Sequence, residues 1–383
     1  MSGSACIAIL ASLTPCLLAA QSPQQWTLQP VVSIGGAEAN DERYAFDRVT
    51  VEAITGRLNG HLLVLDVHGK RVLEYDASGR HVRTQGRAGE GPGELRFPTA
   101  IAIGAGDSAW VFDVGRITVY PAEGGAARTQ RAEIRTFGPA RVRRGGLLRA
   151  LAAVPASAGG AGSFVPARTE VVQFNAEGAT VDTVLRGPLP ARVLVQVQEG
   201  RSVFSTHATE QYGVTTHWDM LRDGSLVIAD SSAYVLRLVA PDGRVVRTFG
   251  TGEPARRTTA ADRERALDRI RAAQARRPDG GAFVPNPALL RRQLEQTPFA
   301  PVIPRVVGVR VDPQDRIWVG VSGERRDLDR IDVYERNGRL VATITDPPGM
   351  PAALYGDGQA ALLERDELDA QRVRILRIAG NGR

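Results

Sequence analysis

Short runs of apolar and β-branched residues, each closed by Gly, Asp or Asn, recur along most of the chain. One set reads Leu62–Asp66, a turn over 67–70, Arg71–Tyr75, a turn over 76–79, and His81–Gln85. Alternation over such lengths, bounded by turn residues, predicts hairpin-linked strands. The set returns at 110–113 with Arg116–Tyr120, then at 226–230, 234–238 and 245–250, and again at 317–320, Arg330–Tyr334 and 340–344. Two degenerate copies lie at 147–151 with 170–174 and at 361–364 with 372–376. Asp66 and Asp113 stand 47 residues apart, within the spacing of about 40–50 residues expected of a four-stranded propeller blade. Third-strand candidates number six. The pattern predicts an all-β chain, a six-bladed β-propeller over residues 26–383.

The last copy stops after its third strand, near Ile378, whereas residues 31–35 stand alone before the first copy begins. Those residues resemble the fourth strands at 245–250 and 81–86, down to the terminal Gly. They are expected to complete the final blade and close the ring, because an open ring leaves an unpaired strand edge. Residues 251–304 break the repeat and predict a small helical insertion between blades four and five. Thr259 with Asp262 forms a cap-like start to Ala260–Ala275, and the Asp262/Arg265 and Asp268/Arg271 pairs are spaced to meet on one turn. The apolar stripe of this helix, Leu267 and Ile270, is thin, so the helix is expected to lie exposed. A second helix starts with Asn286 as N-cap and Pro287 at its first position, and presents Leu289, Leu290 and Leu294 for docking. Residues 187–211 leave room for one further degenerate strand pair.

Composition narrows the class. Hydrophobic content of 43% and charged content of 23% are ordinary for a folded globular chain of 383 residues. Aromatics are sparse at 5%, while Gly (41) and Pro (23) are plentiful, which suits many turns and few long helices. Residues 1–20 read as a signal peptide: an interrupted apolar stretch, small residues at Ala19 and Ala20, then polar Gln21 and Ser22. No Lys or Arg precedes the apolar stretch. Pro15 before Cys16 departs from a lipobox, so no lipid anchor is expected. The expectation is export, to the periplasm or beyond. Both cysteines, Cys6 and Cys16, fall in the leader, which leaves the exported chain without disulfide, thiolate or Cys–metal chemistry. The formal charge of +6 is local: eight Arg against three carboxylates lie between 255 and 277. A surplus confined to one stretch argues against a nucleic-acid partner for the whole molecule.

The residues around the first copy carry a family resemblance. Val64, Asp66, Arg71, Val72, Tyr75 and Gly79, followed by Gly86 and the stretch from Gly89 through Pro92, Gly93, Glu94 and Leu95 to Phe97 and Pro98, resemble an NHL repeat with its inter-blade loop. The copy around Asp113 and Arg116 is shorter, and the likeness is detailed only over about residues 55–125. The resemblance implies that Asp and Arg fasten strands within a blade, and that faces of the ring bind proteins, RNA or small ligands. Related six-bladed propellers include lyases and lactonases with a metal in the channel.

Five histidines are present: His61, His68, His81, His207 and His217. The first three sit at strand ends and turns and read as structural. His207, Glu210, Tyr212 and His217 lie in a stretch longer than the repeat requires, expected to be a long inter-blade connection that crosses a face and lines a pocket. No spacing fixes a metal geometry there, so no cofactor is assigned, though a divalent metal is compatible with the residue types. The 89–94 loop lacks the Lys-Ser/Thr of a phosphate-binding loop and does not open a helix. The chain is therefore expected to be a non-enzymatic, monomeric binding module presenting a face or central channel to a protein or small-molecule ligand. A metal-dependent lyase or lactonase and an RNA-binding propeller are the alternatives.

Overall fold

The computed structural model describes residues 22–132, 136–142, 148–155, 166–175, 179–229, 233–275, 286–323 and 327–380. The leader at 1–20, with Cys6 and Cys16, and most of the 175–178 turn lie outside them. The described chain is all-β with two α-helices and two single-turn 3₁₀ helices. Its strands form consecutive four-stranded antiparallel sheets. The first holds Ile54–Gly56, Leu62–Asp66, Arg71–Tyr75 and His81–Gln85. The next two start at Pro98–Ile103 and Thr136–Val142, and another at His217–Met220. An eight-stranded sheet follows. Its first half is Val306–Val311, Ile317–Val321, Arg330–Tyr334 and Leu340–Thr345; its second is Ala353–Tyr355, Gln359–Arg365, Gln371–Gly380 and the N-terminal Gln24–Gly35.

Gln24–Gly35 pairs antiparallel with Gln371–Gly380, from Trp26 opposite Gly380 to Gly35 opposite Arg372. The strand is longer than the five residues expected, and its register shifts between Pro30 and Val32. Pro30 has no N–H to give the ladder, which accounts for a bulge at that point. Gln24 and Gln25 also pair parallel with Ala342 and Thr343 of the preceding half-sheet. Gly35 ends the strand at φ +88°, where a Cβ would lie 2.6 Å from the Phe46 ring and 2.8 Å from the Gln371 carbonyl oxygen. Only glycine takes that conformation in that space.

The first strands of the sheets pack on one another in series. Ile54–Gly56 touches Ala353–Tyr355 on one side and Pro98–Ile103 on the other, and Pro98–Ile103 touches Thr136–Val142. His217–Met220 touches Val306–Val311, which reaches Ala353–Tyr355. Approach is close enough that a Cβ on Gly56 would sit 2.2 Å from the Tyr355 ring. Between the sheets run apolar clusters. One joins Leu63, Leu65 and Leu73 to Ile101, Val111, Tyr355 and Ile375; another joins Val227 and Leu236 to Val309 and Val319.

The aspartates of the repeated unit act as fasteners. Asp66 is fully buried and accepts from the backbone N–H of Arg48 (3.0 Å) and Gly69 (3.1 Å) and from Arg71 Nη2 (3.2 Å). Asp113 repeats this with the N–H groups of Arg96 (2.7 Å) and Phe97 (2.6 Å) and with Arg116 Nε (2.9 Å). One side chain thus holds its hairpin and the segment that enters the sheet.

Residues 187–211 contain a separate hairpin, Arg192–Glu199 with Ser202–Thr209, in a two-stranded sheet of its own. The long loop expected to carry His207 is therefore a strand there. Alternation decides it: Val195 and Ala208 turn inward against Leu289, with Val197 and Phe204 beside them. The two helices are α1, Ala260–Ala275, and α2, Pro287–Glu295. The Asn286 side chain caps α2 by accepting from the N–H of Ala288 (2.8 Å) and Leu289 (3.1 Å). Leu289 is the buried member of its docking face; Leu290 and Leu294 are half-buried. At the start of α1, Thr259 and Asp262 exchange hydrogen bonds, and Arg256 forks onto the Asp262 carboxylate at 2.7 and 2.8 Å.

Candidate functional site

Where the first strands of three sheets meet, charged side chains converge. Asp219, on His217–Met220, is 3% exposed. Its Oδ1 accepts from Arg141 Nε (2.5 Å), on Thr136–Val142, and from the Met220 N–H (2.8 Å). Its Oδ2 accepts from the Val311 N–H (2.8 Å), on Val306–Val311, and more weakly from Arg141 Nη2 (3.4 Å). One carboxylate ties three sheets together, and both of its oxygens are engaged. Burial works against the Arg141 charge, but Asp219 outweighs it and raises the guanidinium above its ordinary value.

Arg310 lies beside this pair. Its Nη1 donates to the Val309 carbonyl (2.9 Å), and its Nε is buried without an acceptor. No described carboxylate forms an ion pair with it. Burial and then the Arg141 charge lower its hold on its proton, partly opposed by Asp219 and by Glu52, which stands in the Val51–Ala53 turn. His217 completes the group: its Nε2 is 3.1 Å from Thr215 Oγ1, and burial, followed by the Arg310 charge, pushes its imidazole down to about 4. At neutral pH this ring is uncharged.

The four residues singled out in the sequence are distributed differently from one another. His217 belongs to the group just described. His207 sits in the two-stranded hairpin, where its carbonyl accepts from Gln293 Nε2 of α2 at 3.1 Å. Glu210 closes the base of that hairpin by accepting from the Ala191 N–H at 3.2 Å. Tyr212, at φ +61°, donates from its hydroxyl to the Asp262 carbonyl at 3.0 Å, with Arg269 5.8 Å over its ring. These last three tie the hairpin to α2, close its base and meet the start of α1. The sequence singles out none of Arg141, Asp219, Arg310 and Glu52 as a site residue: the first three lie in a degenerate copy or an ordinary strand, and Glu52 lies in the single turn Val51–Ala53. A polar residue interrupting the apolar first strand of a copy was the available signal. Among the described residues no group of three or more His, Cys, Asp or Glu side chains is placed to share a metal ion.

The Arg-rich stretch is largely engaged. Asp262 takes Arg256 and Arg265, and the Arg256 hydrogen bonds hold its carboxyl well below the usual range. Arg269 meets Asp327 at 2.5 Å, Arg271 meets Asp268 at 2.6 Å and Glu264 at 2.9 Å, and Arg263 lies over the Phe299 ring. A cleft of about 240 Å³ at the N-terminal strand is likewise neutralised: Arg316 pairs with Asp312 at 2.6 Å and Arg339 pairs with Glu335.

No protein-family model matches this chain, and no curated protein matches it. Among solved structures it is similar to a candidate exported protein from Bacteroides fragilis, at 12% identity over 93% of this chain and 95% of that one, with a TM-score of 0.47. A calcium-binding regucalcin from Agrobacterium tumefaciens shares 14% identity over 96% and 98%, with a TM-score of 0.42. A catalytically inactive virginiamycin B lyase from Staphylococcus aureus with quinupristin shares 11% over 87% and 83%, with a TM-score of 0.38. At these scores the likenesses carry no argument, and the fold rests on the strand pairings above. No helix among the described residues is long and apolar enough to cross a membrane.

Proposed function

We propose that the protein is an exported six-bladed β-propeller of the NHL type that binds a ligand at its axis and is not itself an enzyme. The blades are the successive four-stranded sheets, with the N-terminal strand as the outer strand of the last. The series of first strands, bridged between Thr136–Val142 and His217–Met220 by the Arg141–Asp219 pair, supports a ring. The observation that carries the binding role is Arg310, a guanidinium left without a carboxylate where three first strands converge. Buried charge of this kind is costly unless something neutralises it. Asp219, with both oxygens occupied, is not free to act as a base or a metal ligand.

Metal analysis of protein purified without chelators tests this reading. The expected result is no stoichiometric divalent metal. Tight Ca or Zn at one equivalent, lost in His207→Ala or His217→Ala, would replace the binding module with a metal-dependent lyase or lactonase.

A further inference from the structure

We infer that the axial group takes a small monoanionic ligand, with an acid group of the carboxylate or phosphate-diester kind, on the unpaired Arg310 guanidinium. The inference deepens the ligand-binding role proposed above and rests on it. Three observations lead there. One Arg310 Nη1 N–H is spent on the Val309 carbonyl and its Nε is buried without an acceptor, so the donors left to meet an acid group are the other N–H groups of its two Nη atoms. The nearest carboxylate, Asp219, is already saturated by Arg141 and by the Val311 and Met220 N–H groups. Arg141 adds a second positive charge close enough to oppose the charge on Arg310. An anion placed there forms a charge-assisted hydrogen bond and relieves the repulsion between the two guanidinium groups at once.

Glu52 sets the limit on charge. It acts on both Arg141 and Arg310 from the Val51–Ala53 turn and makes no ion pair with either. A ligand bearing one negative charge is compatible with it; a second charge near the turn is repelled. His217 adds a proton linkage. Its neutral state follows from burial and from the field of Arg310, and a bound anion offsets that field. The charged group that acts on the ring is Arg310, on the neighbouring strand, which in turn feels Arg141, Asp219 and Glu52. The complex should therefore hold a proton that the free protein does not. Affinity rises as pH falls between the raised value in the complex and about 4 in the free protein.

The test is calorimetry and thermal shift on the full chain with lactate, benzoate, dimethyl phosphate, succinate and inorganic phosphate, against chloride at constant ionic strength. Singly charged probes should bind saturably and doubly charged ones more weakly; lactate and benzoate against dimethyl phosphate tell a carboxylate site from a phosphate site. Arg310→Gln should weaken binding by about tenfold or more, Arg310→Lys less, and Glu52→Gln should strengthen it and admit succinate. Circular dichroism confirms that each variant is folded, and NMR titration of His217 should show its pKa rising on anion addition. Equal binding by wild type and folded Arg310→Gln overturns the inference. So does weaker binding in Glu52→Gln, or no binding of any probe up to tens of millimolar. Binding of an uncharged ligand or peptide in place of these anions removes the anion inference alone, whereas a stoichiometric metal removes the binding-module reading itself.

Discussion

At the scale of single residues, Asp219 concentrates the most consequence in one side chain. Removing it leaves the half-buried Arg141 without a carboxylate and takes the acceptor from the Val311 N–H, so three sheets lose their common tie. Asp219→Ala should destabilise the protein by about 3–5 kcal/mol, the range for breaking a buried pair on one side. Urea denaturation measures this, and a loss under about 1 kcal/mol would show that the pair is screened like a surface one. His217 makes a pH prediction. Its folded value of about 4 lies below the ordinary 6.5, so between those values the unfolded chain takes up a proton that the folded chain refuses. Stability therefore falls as pH drops from 6.5 towards 4, and His217→Gln should flatten that part of the profile. Neither role was legible beforehand. Asp219 and Arg141 are 78 positions apart, and nothing local to either one announces the other.

Elements were more readable, with one exception that shows why. The limits of α1 and the cap of α2 follow from local signals, Thr259 with Asp262 and Asn286 before Pro287, because capping is settled within one turn of backbone. The 192–209 hairpin was read mainly as a loop, although its alternation was present. It belongs to no repeat, and its apolar face is thin until α2 covers it. Leu289→Ala should therefore loosen a local unit. Hydrogen exchange should speed up in residues 192–209 and 287–295, while amides of Leu62–Asp66 stay protected. Equal loss of protection in both regions would mean that the hairpin is integral to the sheets.

For the whole molecule, the decisive pairing joins the two ends of the described chain. Gln24–Gly35 fills the edge of the last sheet along nearly its whole length. A chain lacking residues 24–35 exposes that edge and should melt at a clearly lower temperature, with a tendency to associate through the open strand. Melting at the temperature of the intact chain would show that closure contributes nothing to stability.

The sequence by itself determined the repeating strands, their turns, the helix caps and the need for an N-terminal strand to complete the last unit. All of these are governed by interactions within a few residues or by a period that repeats. Tertiary structure alone decided where Arg310 stands without a carboxylate, that Asp219 joins three sheets, that Arg256 reaches Asp262 and Arg269 reaches Asp327, and that His207 and His217 serve different places. Such facts depend on which strands become neighbours. Charge pairing acts through space at a few ångströms, and residues that meet there are scattered over the whole length of the chain.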